Sequence, residues 1–203
     1  MEFTETALSG AWLVDLDRRI DQRGFFARAF CQREFAAHGI AADVRQANIS
    51  SSTSAGTLRG MHFQYPPAAE SKVVRCIAGA IFDVIIDLRP ESPSFLQHVS
   101  VELSAANGTA LVVPPRFAHR FLSLTDDAHV LYLHSEFHAP AAEGGLRHDD
   151  PDLGIPWPFV PSVVADRDAT WPDLAQQRTN IERRMRAAVT ASSTPDRTRG
   201  PHR

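Results

Sequence analysis

Short apolar runs rich in valine, isoleucine and phenylalanine follow one another through most of the chain, and turn-forming residues separate them. Runs that are short and regularly spaced in this way predict β-strands. No helical periodicity interrupts them between residues 44 and 137, which is typical of a β-sandwich or a closed β-barrel. The predicted strands are residues 11–16, 44–49, 58–64, 73–77, 80–88, 99–103, 110–113, 119–124 and 130–137.

The side-chain patterns distinguish two kinds of strand. Residues 82–88 (FDVIIDL) are apolar almost throughout, which indicates a strand covered on both faces. Residues 119–124 and 130–137 alternate more regularly, which indicates that one of their faces lines a cavity or meets solvent. We therefore predict an all-β domain of the jelly-roll type.

Helical composition is confined to two segments. Residues 31–38 end before Gly39, a helix stop signal, and residues 174–189 form a small helical appendage at the C-terminal side. Between the last strand and this appendage, a segment rich in proline, glycine and aspartate predicts an ordered loop with Trp157 as its anchor. We assign one domain to residues 1–185 and expect the tail, residues 186–203, to be disordered.

Composition and charge exclude several classes of protein. The formal net charge is −3, so the chain has no overall attraction for nucleic acid or for an anionic membrane, and we expect neither as a partner. No apolar window approaches the length of a membrane span, and the N-terminus has no signal-peptide pattern. The two cysteines form no CxxC motif, so we expect a reduced, cytoplasmic protein.

Two histidines on separate predicted strands are the first candidates for chemistry. His62 and His119 can meet in the mouth of a barrel if both face inward. A metal site in a jelly roll usually needs a His-x-His pair plus further ligands, but Met61 and Phe63 flank His62. We therefore expect no metal, although a metal-dependent cupin enzyme stays an alternative.

General acid–base catalysis is the second option for these residues. A histidine acts as a base near neutral pH, and a carboxylate on its far nitrogen selects the tautomer. Asp166, Asp168 and Asp83 are the candidate partners of His62; an aspartate in an apolar strand more often binds loop backbone, so we favour one of the C-terminal pair. Tyr132, in a mainly aliphatic strand, fits either a catalytic acid or a core tyrosine with a hydroxyl partner.

Positively charged residues complete the set of candidates. Lys72 opens a predicted strand, where it can polarise a carbonyl oxygen next to His62 or simply be solvated. Arg23, Arg59 and Arg167 carry guanidinium groups that suit a pyrophosphate, although any one of them alone would be read as a surface residue.

Several motifs, in one order and spacing over about residues 10–175, resemble the dTDP-4-dehydrorhamnose 3,5-epimerases of deoxysugar biosynthesis, which are cupin-like jelly rolls. The matching segments are DxRGFF (21–26), RQANIS (45–50), GTLRGMHFQ (56–64), KVVRCIAGAIFDVIIDLR (72–89), SPSF (92–95), VPPRFAHRF (113–121), YLHSEFHAPAAE (132–143), DDPDLGIPWP (149–158) and ADRD (165–168).

The resemblance implies an enzyme that removes a proton next to the C4 ketone of a nucleotide-linked 4-keto-6-deoxyhexose and returns one to the opposite face. It implies a homodimer that needs no metal or cofactor. His62 would be the base, Asp168 its partner and Tyr132 the acid, while Lys72 would contact the sugar or its enolate. The positions that would bind the nucleotide sugar are Arg23 (donated by the other subunit), Phe26, Arg28, Gln46, Asn48, Arg59, His119, His138, Glu143 and Arg167.

Two positions depart from the pattern of the family. Arg28 stands where the family usually has a glutamate near the pyrimidine, so either the preferred base differs or Arg28 turns away to solvent. His138 stands where the family commonly has a tyrosine, so epimerisation at C3 alone or at both C3 and C5 stays open. A sugar nucleotide-binding jelly roll without catalysis is the alternative function.

Overall fold

The computed structural model of the chain describes residues 1–41 and 43–186, and these residues form two facing β-sheets with three short helical additions and a longer C-terminal helix. The strands are β1 (Glu2–Glu5), β2 (Trp12–Asp15), β3 (Arg19–Asp21), β4 (Gly24–Phe26), β5 (Gln46–Ser52), β6 (Thr57–Gln64), β7 (Lys72–Ala78), β8 (Ala80–Asp87), β9 (His98–Ser104), β10 (Ala110–Val113), β11 (Phe117–Ser123), β12 (Ala128–His134), β13 (Glu143–Gly145) and β14 (Val163–Val164). The helices are α1 (Gln32–Ala37), α2 (Asp166–Ala169) and α3 (Leu174–Arg186), with a 3₁₀ turn at Pro140–Ala142.

The order of the strands is that of a jelly roll. The first sheet runs β1-β2-β10-β7-β12-β5, and the second runs β13-β6-β11-β8-β9 with β14 added in parallel to β6. The inner faces of the two sheets pack together through an apolar core that includes Val74, Leu111 and Val130 from the first sheet and Ile85 and Phe121 from the second. The predicted all-β jelly-roll fold is therefore confirmed.

Both outer faces are covered as well, which explains why several strands are apolar almost throughout. Val84 and Ile86 of β8 pack outward against Leu174 and Ile181 of α3. On the other side of the molecule, α1 lays Phe35 against the outer face of the first sheet. The anchor expected in the loop is also present, because the indole nitrogen of Trp157 donates to the backbone oxygen of His148 at 2.9 Å.

The predicted strands and helices are found with small shifts in their bounds. The strand expected at 44–49 begins at Gln46 and continues to Ser52, because it pairs with the whole length of β12. β12 ends at His134, since its neighbours begin at Gln46 and Lys72. The expected helix over residues 174–189 is described as far as Arg186, and the rest of the tail lies outside the described residues.

The sequence did not indicate several short elements, which are β1, the hairpin of β3 and β4, β13, β14 and α2. With two to four residues each, they are too short to show a period. In the part of the chain that the structure describes, no helix is long and apolar enough to span a membrane.

Candidate active site

A polar cleft occupies one end of the space between the two sheets. It consists of two neighbouring hollows of about 300 and 330 Å³, and both are lined by Asn48, His62, Lys72 and His134. The antiparallel register of β7 and β12 explains the change from apolar to polar: Cys76 pairs with Val130 in the core, whereas Lys72 pairs with His134 at the cleft. The cleft is thus built into the end of the apolar core.

The side chain of His62 is paired with that of Asp168. Nε2 of His62 lies 2.7 Å from Oδ1 of Asp168, and Oδ2 of Asp168 accepts a hydrogen bond from the backbone N–H of Gly60 at 2.9 Å. Burial by itself would raise the pKa of Asp168, but the hydrogen bond from His62 and the further donors outweigh it and hold this pKa below 3.8. The carboxylate is therefore ionised at neutral pH and accepts a hydrogen bond from the N–H at Nε2 of His62.

Local backbone structure brings Asp168 to this histidine from far along the chain. β14 pairs in parallel with the start of β6, and α2 follows immediately and directs Asp168 toward Gly60. Gly60 has φ +102°, and a Cβ at this position would lie 2.6 Å from the backbone oxygen of His119. Only glycine allows β6 and β11 to approach this closely.

His119 faces the same hollow and has its own carboxylate. It lies opposite His62 in the pairing of β11 with β6, and its Nε2 is 2.6 Å from Oδ1 of Asp83. Asp83 is fully buried, and its side chain contacts the second histidine where loop backbone was expected. The expectation that His62 takes a C-terminal aspartate holds for Asp168, whereas Asp166 is exposed on the outer side of the same short helix.

Tyr132 stands on the opposite sheet from His62 and lines the same hollow. Its ring centroid is 6.1 Å from that of His119, and its hydroxyl is 3.3 Å from the Oγ of Ser50. Burial raises the pKa of the phenol far above its usual value of 10, and the contact with Ser50 offsets only part of this rise. The hydroxyl therefore keeps its proton at neutral pH.

Lys72 lines both hollows. Its residue is 8% exposed, and its Nζ is 3.2 Å from Oε1 of Glu70. The other oxygen of Glu70 is 3.0 Å from Nδ1 of His134. The ammonium is thus buried but paired with a carboxylate, and a buried charge of this kind is tolerated because it has a partner.

The expected nucleotide-binding residues occur in two groups, and the first lies around the cleft. Arg59 donates to Ser51 O at 2.8 Å and lines the hollow that holds Tyr132. Glu143, Arg167 and His138 line the second hollow. The carboxylate of Glu143 forms an ion pair with Arg167 and lies 3.6 Å from Nε2 of His138. Gln46 and Asn48 also belong to this group, and both are on β5.

Arg23, Phe26 and Arg28 form the second group and lie away from this cleft. Arg23 projects from the hairpin of β3 and β4, with 84% of its side chain exposed and an ion pair to Asp21. Phe26 is 74% exposed. Arg28 forms an ion pair with Glu34, at 2.7 Å between Nη1 and Oε1. None of the three lines either hollow of the cleft among the described residues.

Sequence reasoning missed three residues next to the site. Glu70 and His134 had no assigned role, although His134 shares the strand parity of Tyr132. Arg120 is fully buried beside Asp168, and its Nη2 donates to Leu146 O at 3.3 Å. Burial lowers the pKa of Arg120 to about 9, and its charge helps to lower the pKa of Asp168. The sequence does contain a signal for Arg120, because an arginine inside the apolar run of β11 is unusual.

Within residues 1–41 and 43–186, no group of three or more histidine, cysteine, aspartate or glutamate side chains is arranged to hold a metal ion. The two candidate histidines each contact a single carboxylate instead: Nε2 of His62 contacts Asp168, and Nε2 of His119 contacts Asp83.

Comparison with known proteins gives a consistent result over most of the chain. A sequence model described as dTDP-4-dehydrorhamnose 3,5-epimerase matches residues 5–176. An epimerase of that name from Mycolicibacterium smegmatis is 41% identical over 180 residues, which are 87% of this chain and 87% of the relative.

Solved structures agree with the sequence comparison. The Bacillus anthracis dTDP-4-dehydrorhamnose 3,5-epimerase, with TDP and PPi bound, superposes with a TM-score of 0.83 at 37% identity and covers 85% of this chain and 99% of its own. ChmJ, a 3'-monoepimerase from Streptomyces bikiniensis in complex with dTDP-quinovose, gives 0.81 at 36% identity, with coverage of 87% and 90%. The match of the family model, the identity to these relatives and the shared fold all lead to one conclusion, that this chain belongs to the dTDP-4-dehydrorhamnose 3,5-epimerase family.

Proposed function

We propose that this chain is a cofactor-independent epimerase that acts on dTDP-4-keto-6-deoxyglucose. One observation carries the proposal: a histidine backed by a carboxylate and a protonated tyrosine face one hollow from opposite sheets. A sugar ring held between the sheets would then meet a base on one face and an acid on the other.

His62 acts as the base in this mechanism. Because Asp168 accepts a hydrogen bond from Nε2, the proton of the neutral ring sits on Nε2 and the lone pair on Nδ1. Nδ1 takes the proton from the carbon next to the C4 ketone, and the electron pair of that C–H bond moves into an enolate. Asp168 stabilises the imidazolium that forms.

Lys72 and His119 act on the oxygen of that enolate. Negative charge develops on the former carbonyl oxygen, and a buried cation in a site with little water stabilises it strongly. Lys72 carries its charge on the sheet of Tyr132, while His119 extends from the sheet of His62. Donors from both sheets can therefore converge on one oxygen.

Tyr132 completes the inversion by protonating the enolate on the face away from His62. The phenol keeps its proton at neutral pH, because burial raises its pKa. The enolate carbon takes that proton and the C4 carbonyl forms again. The phenolate then recovers a proton from solvent, and the imidazolium of His62 releases its proton to solvent. The net change is inversion at one carbon, with no oxidation or reduction.

We propose that the nucleotide lies along the outer part of the cleft. Arg59 supplies a guanidinium for the diphosphate, and Gln46, Asn48 and Arg167 supply further polar contacts. The two hollows share four lining residues and therefore form one continuous cleft, which suits a ligand with two parts such as a nucleotide sugar.

We further propose that the enzyme is a homodimer in which the hairpin of β3 and β4 reaches the cleft of the partner. Ile20, Phe25 and Phe26 on this hairpin are 79%, 55% and 74% exposed, which is unusual for large apolar side chains in one small element. The position of Arg23, outside its own cleft, fits a role in the site of the other subunit.

A mixing experiment tests this arrangement directly. Arg23→Ala and His62→Ala should each be nearly inactive, but their mixed dimers would contain one site with both residues intact. Mixing should therefore restore up to about a quarter of the wild-type activity. Activity that stays at the level of the separate variants would refute donation across the interface, and sedimentation shows whether dimers form.

Arg28 bears on which nucleotide base the enzyme binds. Its ion pair with Glu34 engages the guanidinium within its own chain, which supports the interpretation that it does not read the pyrimidine. We expect dTDP to bind more tightly than UDP, CDP or GDP in calorimetric titrations. A clear preference for CDP would show that Arg28 has changed the base that the enzyme accepts.

Proton exchange in D₂O tests the reaction itself. NMR of dTDP-4-keto-6-deoxyglucose with the enzyme should show deuterium entering next to the ketone, and His62→Ala should slow this about 10²–10⁴-fold. Label at C3 and C5 indicates double epimerisation, whereas label at C3 alone indicates a monoepimerase. Binding without any exchange would refute catalysis and leave a sugar nucleotide-binding protein.

We also propose a cytoplasmic location, since the substrate is a nucleotide sugar and Cys31 and Cys76 are both free thiols. Cell fractionation with an antibody against the chain measures this.

A further inference from the structure

One carboxylate in the cleft has no role in the mechanism above, although it touches two of the side chains that line it. Glu70 lies just before β7, Lys72 is the first residue of that strand, and His134 is the last residue of β12. Lys72 and His134 are direct neighbours in the pairing of β7 with β12. The side chains of Glu70, Lys72 and His134 are only 9%, 10% and 12% exposed.

Both oxygens of Glu70 are engaged, each by a different partner. Oε1 is 3.2 Å from Nζ of Lys72, and Oε2 is 3.0 Å from Nδ1 of His134. Burial alone would raise the pKa of Glu70, but the hydrogen bond from His134 and the charge of Lys72 outweigh it and keep the pKa below 4.5. Glu70 is therefore an ionised acceptor that leaves both partners to donate.

The ionised carboxylate of Glu70 determines which ring nitrogen of His134 carries the proton. Since Nδ1 donates to Glu70, the free lone pair of the neutral ring is on Nε2. Nε2 lies 3.4 Å from Nδ2 of Asn48, an amide nitrogen that can only donate. The ring also stacks on Tyr132, with centroids 5.8 Å apart and planes at 28°. Hydrogen bonds at both nitrogens and the stacking on Tyr132 thus specify one tautomer and one orientation.

We propose that Glu70 is a positioning residue of the epimerase, which orients the ammonium of Lys72 and the imidazole of His134 along the wall of the cleft that carries Tyr132. The proposal rests on the proposed function, because the mechanism assigns the enolate oxygen to Lys72. With one N–H of the ammonium held by Glu70, the remaining two are directed away from the carboxylate and into the cleft. His134 lines both hollows, so its orientation also shapes the passage between sugar and nucleotide.

Glu70→Gln tests the proposal with almost no change in volume. Lys72 and His134 contact different oxygens of Glu70, and glutamine has an acceptor oxygen at only one of these two positions and a donor NH₂ at the other. With its oxygen toward Lys72, its amide would donate to Nδ1 of His134 and move the ring proton to Nε2, against the amide of Asn48. We expect kcat to fall on the order of tenfold to a hundredfold, as for the loss of a hydrogen bond to a charged group.

Two readouts distinguish positioning from a purely structural role. KM should stay within about twofold of wild type, because an interaction used mainly in the transition state affects kcat. ¹⁵N NMR of the histidine side chains should show His134 protonated at Nδ1 in the wild type and at Nε2 in Glu70→Gln, with the signal assigned by its absence in His134→Gln. A lower melting temperature with unchanged kcat would overturn the proposal.

Glu136→Gln is the matched control. Glu136 lies two residues after His134, but its carboxylate pairs with Arg45 at 2.7 Å and lines neither hollow, so we expect wild-type kcat and an unchanged His134 signal. If Glu70→Gln does not fold, the wild-type spectrum decides, because protonation of His134 at Nε2 there would overturn the proposal.

The outcomes also separate this proposal from the proposed function. Wild-type exchange together with full activity of Glu70→Gln would overturn the role of Glu70 and leave the epimerase assignment intact. Absence of wild-type exchange would refute the epimerase assignment. The NMR comparison of the two proteins would then still show whether Glu70 determines the tautomer of His134, and an unchanged signal would overturn that as well.

Discussion

Replacement of Asp168 by asparagine tests the central pair of the site with the smallest structural change. The carboxylate accepts from the backbone N–H of Gly60 at 2.9 Å and from Nε2 of His62 at 2.7 Å, and the residue is 4% exposed. Asparagine has only one oxygen. If this oxygen continues to accept from Gly60, the amide NH₂ faces His62 and requires Nε2 to accept, so the ring proton moves to Nδ1.

The cost to catalysis should be large and the cost to stability small. With its proton on Nδ1, His62 has no lone pair toward the sugar, and loss of a general base costs about 10²–10⁴-fold in rate, or roughly 3–5 kcal/mol of barrier. The fold loses only the difference between a hydrogen bond to a charged group and one to a neutral group, which is about 1 kcal/mol.

The same variant changes the dependence of stability on pH. The pKa of Asp168 lies below 3.8 in the folded state, so its ionisation stabilises the fold above pH 3.8, and this contribution is lost as the pH falls through the lower folded-state value. Asp168→Asn lacks this group. The difference in unfolding free energy between wild type and variant should therefore shrink on acidification through this range, as urea titrations can measure.

Asp166→Asn is the control, because Asp166 lies on the same short helix but is exposed. We expect wild-type rates of deuterium exchange for this variant and the full loss for Asp168→Asn. If Asp168→Asn kept its exchange rate within tenfold of wild type, the assignment of His62 as a base oriented by this carboxylate would be wrong.

Three further changes probe the acid, the close strand contact and the buried arginine. Tyr132→Phe should lower the rate of inversion about 10²–10⁴-fold while deuterium exchange through His62 continues, and an equal loss of both, measured by NMR, would contradict a role in returning the proton. Gly60→Ala should lower the free energy of unfolding by about 2–4 kcal/mol in denaturant titrations, because it combines backbone strain with a clash in the core; an unchanged melting temperature would contradict this. Arg120→Met should raise the free energy of unfolding by about 1–3 kcal/mol, since Nε and Nη1 of Arg120 are buried without partners among the described residues, and a less stable variant would show that the charge is compensated.

The fold could be predicted from the sequence because it depends on local periodicity. Apolar runs such as that in β8 reveal strands covered on both faces, and turn residues mark their ends. The missed elements are those in which two to four residues pair only because the rest of the fold brings them together. The parallel pair of β14 with the start of β6 is one example.

The site was predicted in part for the same reason. His62, Tyr132 and Lys72 could be found as candidate residue types on predicted strands, and the order of motifs indicated the family. Glu70 carried no such signal, since a glutamate before a strand is ordinarily solvated. Its contacts with Lys72 and His134 depend on the register between β7 and β12, which no local pattern reports.

The chain by itself thus determined the all-β class and the number and rough position of the long strands, and it supplied the residues that we propose as base, acid and cation. Only the tertiary structure decided that Asp83, 36 residues from His119, is the partner of that histidine, and residue types alone had left open which aspartate meets His62, 106 residues before Asp168. The physical reason is range: strand propensity acts between neighbours, whereas these pairs form only after two sheets have packed and set the distances between their side chains.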